Sequence, residues 1–229
     1  MDDTLKAEIL DLYNKNLSTC RYLQEQVEGL FKYKDILNVG DPPAIHSIKS
    51  RIKNQDHLLE KIERKLELGR QINKENFFTE ITDLVGLRVL YLYQDQFYII
   101  HTELMREINE IREWCLHEQP KAYTWDPESK NFYESLGITT ELKDSYYTSV
   151  HYTIKKNNDS NQIRCEIQIR SLFEEIWGEI DHTINYPKKT DSLSCMEQIK
   201  VLSKLVATGT RLSDSIFRSY NEHKEQRNT

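Results

Sequence analysis

The sequence predicts an α+β fold, in which helices flank a mixed, mostly antiparallel sheet of about five strands. Short segments rich in β-branched and aromatic residues, such as Val85–Tyr93, have the composition of strands. Longer segments before, between and after them carry apolar residues at helical spacing. Since no internal repeat or clear linker is found, we expect one domain over residues 1–229. It would contain an N-terminal helix (1–40), a core (44–188) and a C-terminal helix (190–225).

The N-terminal segments predict two helices with a strand between them. One long helix is expected from Asp2 to about Leu37, ended by Gly40–Pro43. Its apolar residues at helical spacing are Leu5, Ile9, Leu12, Leu23, Val27 and Leu30. A short strand at about 44–53 and a charged helix at about 55–68, closed by Gly69, follow it.

The middle of the chain predicts the centre of the sheet. Val85–Tyr93 is expected to be a central strand, and a helix at about 95–118 follows it, with Pro120 after its end. Two more strands, at about 138–143 and 149–156, and a turn at 157–161 predict an antiparallel pairing.

A strand after this turn has one polar face and one apolar face, because successive side chains of a strand alternate. The polar face carries Arg164, Glu166, Gln168 and Arg170, of which Arg164 is expected to be a solvent-facing charge. The apolar face, which would anchor the strand, carries Ile163, Cys165, Ile167 and Ile169.

The same segment continues into a helix that ends at Tyr186-Pro187. Its predicted buried stripe is Phe173, Ile176, Trp177, Ile180 and Ile184. A final helix is expected from about Ser192 to Lys224.

Composition argues against several classes of protein. Hydrophobic residues make up 38% of the chain and aromatic residues 10%, which is enough for a packed core. No apolar run approaches the roughly 18 to 20 residues of a membrane span. The start MDDTLKAEIL lacks the features of a signal peptide. The four isolated cysteines form no C-x-x-C motif and suit a reducing compartment. We therefore expect a cytoplasmic protein.

Charge is distributed unevenly along the chain. The net charge of -6 argues against a generally basic nucleic-acid surface, yet residues 45–74 contain eight cations and only four acids. Five cations on one strand face and one helix face can hold a polyphosphate: Arg51, Lys53, Lys61, Arg64 and Lys65. The alternative is a solvated face whose cations pair with glutamates of the same helix.

Two further groups of residues have the chemistry of a site. Asp83, just before the central strand, and Glu166 can together hold Mg²⁺ and polarise a hydroxyl. The alternative is that each is a structural carboxylate in a salt bridge or cap. In Lys143–Tyr152 a tyrosine at the mouth of a strand can stack on a base. The alternative there is a tyrosine at a sheet edge beside a half-buried histidine.

Three segments, in this order, resemble the synthetase domain of the RelA/SpoT family: ITDLVGLRVLYLY, KDSYYTSVHY and EIQIRSLFEEIWGEIDHTINY. The resemblance covers roughly residues 47–188 and rests on D-L-x-G-x-R and on E-x-Q-I-R followed by W-x-x-I-D-H. It implies a nucleotidyltransferase fold of the DNA polymerase β type. It also implies transfer of pyrophosphate from ATP to the 3′-hydroxyl of GDP or GTP, which makes the alarmones (p)ppGpp.

The resemblance implies a role for each matching residue. Asp83 and Glu166 would hold Mg²⁺, with Glu166 also a candidate general base, and Arg88 would lie near the phosphates. The ATP-binding residues would be Arg51, Lys53, Lys61, Arg64 and Lys65. The acceptor-binding residues would be Lys143, Tyr147, Ser149, His151, Gln168, Arg170, His182 and Asn185. Among these, Tyr147 matches the tyrosine that stacks on the acceptor base.

The sequence departs from the family pattern on the acceptor side. Tyr146 replaces a glycine, Thr148 stands where arginine is common, and Asp56-His57 replaces a usual serine. Glycine tolerates a positive φ that tyrosine adopts less easily, so we expect an acceptor pocket of different shape.

These departures leave other acceptors and partners open. An alternative is a toxin that pyrophosphorylates the tRNA 3′ end or an adenine nucleotide and pairs with an antitoxin, although the net charge disfavours tRNA. A second alternative is a silent nucleotide-binding module. The resemblance also implies a possible homo-oligomer.

Overall fold

The N-terminal helical region consists of three helices. The computed structural model describes residues 1–157, 163–186 and 188–228. The helices are α1 (Asp3–Lys15), α2 (Leu17–Lys32) and α3 (Asp35–Asn38). The prediction of one long helix is therefore wrong. The break falls at Asn16, whose side-chain amide donates to the Leu12 carbonyl at 2.8 Å, a local bond that competes with helix continuation.

The next elements follow the sequence pattern closely. They are β1 (Ser47–Ile52), α4 (Gln55–Glu67) and β2 (Val85–Tyr91). A short α5 (Phe77–Glu80), which was not predicted, lies between α4 and β2. Asn54 caps α4 by accepting from the His57 backbone at 2.8 Å, and Gly69 follows α4 with φ +78°.

The helix predicted at 95–118 ends earlier than expected. The structure has α6 (Gln94–Arg106), a π-helical turn (Glu107–Ile111) and then β3 (Trp114–Leu116). Arg112 leaves the helix with φ +60°, and Trp114 is buried. Because β3 is only three residues long, its alternation was too short to distinguish it from the end of a helix.

The sheet is completed by elements of which two were not predicted. Those two are β4 (Lys121–Thr124) and α7 (Pro127–Ser135), the latter capped by Asp126. The predicted strands are β5 (Thr139–Leu142), β6 (Ser149–Lys156) and β7 (Cys165–Ser171). Of the turn predicted at 157–161, the part beyond Asn157 lies outside the described residues.

Two helices close the chain, as the sequence predicts. They are α8 (Leu172–Asn185) and α9 (Leu193–Asn228). Ser171 caps α8 by accepting from the Glu174 backbone at 3.1 Å. Pro187, predicted to stop α8, lies outside the described residues. Within the described ranges, we find no helix long and apolar enough to cross a membrane.

The strands form one mixed sheet in the order β1-β2-β7-β6-β4-β5, with β3 also paired to β6. β2 is parallel to β7 and β4 is parallel to β5, whereas the other pairs are antiparallel. Within the described residues the sheet has seven strands, where about five were predicted. The two strands predicted at 138–143 and 149–156 do not pair with each other, because β4 lies between them.

The register places the polar residues of three strands on one sheet face. Lys49 of β1 pairs with Arg88 of β2, which pairs with Gln168 of β7. In the adjacent row Gly86 lies between Arg51 and Glu166. Directly paired residues point to the same side of a sheet. β1, β2 and β7 therefore form a charged floor. Residues just before and after these strands enlarge it.

The opposite face of β7 belongs to the main core, as predicted. Four apolar residues are at most 4% exposed: Ile163, Cys165, Ile167 and Ile169. They join a cluster to which α1, α2, α4 and α6 also contribute. The prediction that Arg164 faces solvent is wrong. Its side chain is buried, with the residue 4% exposed, and donates to the Phe78 carbonyl.

A second, smaller cluster joins α8 to α9. Trp177 lies at its centre, packs with Ile199 and Val206, and donates its indole N–H to the Ile199 carbonyl at 3.1 Å. Ile176 and Ile180 are 50% and 38% exposed, so the predicted apolar stripe of α8 is partly wrong. The helix instead buries two carboxylates, Glu174 and Glu175.

Candidate active site

A cavity of about 640 Å³ lies between the charged sheet floor and α8. It brings together nine of the residues that the sequence predicted for the site: Arg51, Asp83, Arg88, Tyr147, Glu166, Gln168, Arg170, His182 and Asn185. These residues come from separate segments, and the sheet register is what makes them converge. The remaining predicted residues lie beside the cavity or outside it.

Asp83 lies just before β2 and is held by two lysines. Its carboxylate oxygens are 3.1 Å from Nζ of Lys53 and 2.8 Å from Nζ of Lys61. Burial acts to raise the pKa of Asp83, but the positive charges of Lys61 and Lys53 outweigh it and hold this pKa below its usual value. The group is therefore an ionised carboxylate at neutral pH.

The five cations predicted to bind ATP have three different surroundings. Arg51 lines the cavity, and Lys53 and Lys61 contact Asp83 beside it. Lys65 pairs with Glu80 at 3.3 Å, and Arg64 is exposed and does not line the cavity. The partners of Lys61 and Lys65 lie outside α4, which argues against the alternative of pairing within the helix.

Glu166 projects from β7 into the cavity, with one hydrogen-bonded neighbour and one imidazole nearby. Gln168 donates to its Oε1 at 2.7 Å, and Nδ1 of His151 is 3.9 Å from its Oε2. Burial lowers the pKa of His151, against the opposing effect of the Glu166 charge. A neutral imidazole leaves the Glu166 carboxylate free to accept a proton from a bound hydroxyl.

Tyr147 lines the cavity beside His151 and Arg170. Its hydroxyl is 3.0 Å from Nε2 of His151, and the Arg170 guanidinium carbon lies 6.0 Å from the centre of its ring. Burial raises the pKa of Tyr147, so the hydroxyl stays protonated. The ring thus combines an aromatic surface with a hydrogen-bonding group that touches the neighbour of Glu166.

Tyr146 adopts the backbone conformation that the sequence comparison associates with glycine. Its φ is +64°, in the left-handed region, and its ring lies 5.4 Å from that of Trp125. A non-glycine residue in this region costs roughly 1 kcal/mol or more. The chain keeps the turn before Tyr147, and the aromatic contact offsets part of this strain.

Two predicted acceptor residues do not reach the cavity. Lys143 pairs with Glu141 and lies 4.6 Å from the centre of the Tyr123 ring. Ser149 is fully buried within β6. The third residue of this group, His151, is beside the cavity through its contacts with Tyr147 and Glu166.

Several cavity residues were missed from the sequence. Lys49 and Glu179 line the cavity, and Glu175 contacts the cations of its floor. Strand alternation points to Lys49, which is two residues before Arg51 and therefore on the same face. Helical spacing points to Glu175, Glu179 and His182 as one polar face of α8, but the apolar stripe of that helix hid the signal.

The donor set can accommodate a divalent metal only with help from a substrate. Among the described residues, no group of three His, Cys, Asp or Glu side chains could hold an ion. Asp83 and Glu166 offer carboxylate oxygens to the same cavity. Mg²⁺ is commonly held by one or two carboxylates, with phosphate oxygens and water as its other ligands. The residues present therefore fit a metal that arrives with a polyphosphate.

Comparisons with known proteins agree on one family. The sequence profile described as "Region found in RelA / SpoT proteins" matches residues 50–191. The chain is 25% identical to GTP pyrophosphokinase YwaC of Bacillus subtilis (strain 168), over 66% of this chain and 63% of that protein. It is 23% identical to GTP pyrophosphokinase YjbM of the same organism, over 98% of this chain and 93% of that protein.

The fold is shared with a solved structure. The small alarmone synthetase 1 from Bacillus subtilis superposes with a TM-score of 0.69 at 19% identity, covering 93% of this chain and 99% of that one. Because the family profile matches more than half of the chain, and includes Asp83 and Glu166, this protein belongs to the RelA/SpoT family.

Proposed function

We propose that this protein transfers pyrophosphate from ATP to the 3′-hydroxyl of GDP or GTP and so makes (p)ppGpp. The observation that carries the proposal is the convergence of Asp83 and Glu166 on one cavity with a cationic floor. The printed names of YwaC and YjbM, both GTP pyrophosphokinases, support it. Small alarmone synthetase 1 has been solved with its product pppGpp and with AMPCPP, which supports nucleotides as substrates.

In the proposed reaction the acceptor oxygen forms a bond to the β-phosphorus of ATP, and the bond from that phosphorus to the α-phosphate oxygen breaks. AMP leaves, and the hydroxyl proton passes to Glu166. Gln168 fixes the Glu166 carboxylate at 2.7 Å, so that one oxygen is held and the other faces His151. Phosphoryl transfer depends mainly on positioning and charge neutralisation, which this floor provides.

The donor end of the site would bind the phosphates of ATP. Arg51 and Arg88 line the cavity, and Lys53 and Lys61 keep Asp83 ionised. Asp83 and Glu166 would hold Mg²⁺, which would neutralise charge on the phosphate oxygens when bound. Lys65 and Arg64 lie further out and would contribute through their charge.

The acceptor end would bind the purine and its phosphates. Tyr147 would stack on the base, a contact worth roughly 1 to 3 kcal/mol for aromatic side chains. Arg170, His182 and Asn185 also line the cavity. Lys143 and Ser149 are less direct candidates, because neither lines it.

The alternatives have less support. No tRNA or antitoxin occurs in the names of the related proteins described above, and the net charge of -6 disfavours a polyanion such as tRNA. A silent module would not need both carboxylates in the cavity. The four isolated cysteines still predict a cytoplasmic location.

The test of this proposal is an acceptor panel. The protein is incubated with Mg²⁺ and ATP labelled in its β- and γ-phosphates, and GDP, GTP, an adenine nucleotide or bulk tRNA is added in turn. We expect label on GDP or GTP. Label on tRNA would support the toxin alternative instead, and label on no acceptor would overturn both enzymatic hypotheses.

A further inference from the structure

Glu175 lies between α8 and the charged sheet floor, at the meeting point of three cations. It is a residue of α8 and is only 3% exposed. Its Oε1 is 2.8 Å from Nζ of Lys49 and 3.2 Å from Nη1 of Arg88, and its Oε2 forms an ion pair with Arg170. One carboxylate therefore contacts a cation from each of three adjacent strands.

The sheet register explains why these cations meet. Lys49 of β1 and Arg88 of β2 are direct partners, and Arg170 of β7 follows two residues after the partner of Arg88. Left alone, three neighbouring cations repel each other, and long side chains have many rotamers. A fixed carboxylate among them limits both effects, and the four groups together keep a net positive charge for an anion.

Glu179, one turn later on α8, does not duplicate this arrangement. Its carboxylate pairs with Arg88 at 2.6 Å, and its side chain is 56% exposed. The Arg170 side chain is held in place, because it is 4% exposed and α8 approaches it closely at Gly178. Burial acts to raise the pKa of Glu175, but Lys49, Arg170 and Arg88 keep this pKa below its usual value.

Arg170 extends the contact towards the acceptor end, because it also faces the ring of Tyr147. A series of side-chain contacts therefore runs across the cavity from β1 to a residue just before β6. It consists of Lys49, Arg88, Glu175, Arg170 and Tyr147. A displacement of Glu175 would therefore change the positions of side chains at both the donor end and the acceptor end of the site.

We infer that Glu175 is a positioning residue for pyrophosphate transfer: it holds Lys49, Arg88 and Arg170 in the geometry that receives the transferred group. The inference rests on the proposed function. Glu175 touches no reacting atom and acts only through the cations. Because its own charge opposes an anion, it weakens ground-state binding while it raises turnover.

The test compares wild type with Glu175→Gln in two measurements. Calorimetry measures binding of inorganic pyrophosphate, and a label-transfer assay measures turnover with ATP and the preferred acceptor. We expect pyrophosphate to bind Glu175→Gln as tightly as wild type or more tightly, because one negative charge is gone. We expect turnover to fall by about 10- to 100-fold, the range caused by misplacement of about 1 Å or less.

Other outcomes contradict the inference in different ways. Turnover of a folded Glu175→Gln within about twofold of wild type would overturn it. Turnover that rises with tighter pyrophosphate binding would show that Glu175 competes with phosphate instead. Pyrophosphate binding that weakens in step with turnover would indicate a merely structural role. Glu197→Gln, an exposed acid on α9, is the matched control and should change neither measurement.

A second variant covers the case in which Glu175→Gln does not fold. Glu175→Asp keeps the charge but shortens the side chain by one methylene, so it cannot reach all three cations equally. It should bind pyrophosphate as wild type does and turn over at an intermediate rate, whereas full turnover would overturn the inference. If wild type itself transfers no label, the proposed function fails, and the pyrophosphate titrations still report whether Glu175 offsets the charge of the floor.

Discussion

Glu166 and Asp83 are two carboxylates of one cavity with different surroundings. Asp83 lies between two lysines, whereas Glu166 has an amide and an imidazole as neighbours. Under the proposed function both carboxylates would hold Mg²⁺. Glu166, beside an amide and an imidazole instead of two lysines, would also accept the proton of the acceptor hydroxyl.

Replacing Glu166 tests the assignment of the base. We expect Glu166→Gln to lower turnover by on the order of 10²-fold or more, the scale of a positioned general base. Binding of AMPCPP, measured by calorimetry, should remain within a few-fold of wild type. Turnover close to wild type in a folded variant would remove Glu166 from the mechanism.

Glu174, next to Glu175, has the opposite electrostatic environment. Its pKa is raised to about 8, mainly by burial, against the lowering effect of the Arg170 charge and with a smaller raising effect from Asp126. A carboxyl group with a raised pKa in the folded state stabilises the protein below the pKa of the unfolded state, near 4.5. That contribution is lost as the pH rises through about 8.

This environment predicts how stability depends on pH. Between pH 6 and 8.5 the free energy of unfolding of wild type should fall by up to about 1.4 kcal/mol per pH unit relative to Glu174→Gln, which cannot ionise. Denaturant titrations at several pH values measure it. Parallel pH profiles for the two proteins would show that Glu174 is not a buried, protonated acid.

Helix α8 connects the site to the rest of the fold. It caps the cavity on one side and packs on α9 through Trp177 on the other. Its approach to the sheet is close at Gly178, where a Cβ would lie 2.7 Å from Nη1 of Arg170. A side chain at this position would shift the Arg170 guanidinium, which pairs with Glu175, or move the helix.

Two glycines give a matched comparison at this scale. Glycine to alanine within a helix ordinarily stabilises by roughly 0.5 to 1 kcal/mol. We expect this gain for Gly29→Ala in α2, where the nearest atom to a new Cβ would be 3.5 Å away. Gly178→Ala should show no gain and should lose about 10-fold in turnover. Thermal unfolding and the transfer assay measure both, and an equal stability gain at the two positions would contradict the close approach.

The elements differ in how well the sequence predicts them. Long periodic segments such as α4 and α9, and the alternating strand β7, carry many repeats of their pattern and were predicted closely. β3 and β4 have three and four residues, too few for alternation to be recognised. The break between α1 and α2 contains no Gly or Pro. The helical spacing of apolar residues continues past Asn16, so one helix was predicted there.

The site shows the same limit. Asp83 and Glu166 were predicted as site residues because they belong to the motifs of the family resemblance. The role proposed for Glu175 depends instead on the relative position of three strands. Strand order and register are long-range properties that a local pattern does not contain. The positive φ of Tyr146 was unexpected for the same reason, since its packing partner Trp125 is distant in the sequence.

At the scale of the whole molecule, α9 exposes more apolar surface than its packing on α8 uses. Residues on it that are at least half exposed include Val201, Leu205, Leu212, Ile216 and Tyr220. Exposed apolar stripes of this kind often mark an interaction surface. The division into segments 1–40, 44–188 and 190–225 stays a prediction, and α9 is the segment most available to a partner.

We expect the stripe to support a homo-oligomer. Size-exclusion chromatography with light scattering at micromolar concentration should give a mass above 27.3 kDa. Leu205→Glu combined with Leu212→Glu should shift the mass towards that of one chain, because each change places a charge in the interface. A wild-type protein that elutes as a single chain at this concentration would contradict the expectation.

The central claim is that two phosphates leave ATP together and reach a guanine nucleotide. The most direct measurement is the ratio of AMP formed to GDP or GTP consumed, with the product identified by mass and by phosphorus NMR. The account predicts one AMP for each acceptor molecule and a diphosphate at its 3′ position. Formation of ADP, or of AMP with free pyrophosphate and an unchanged acceptor, would contradict it.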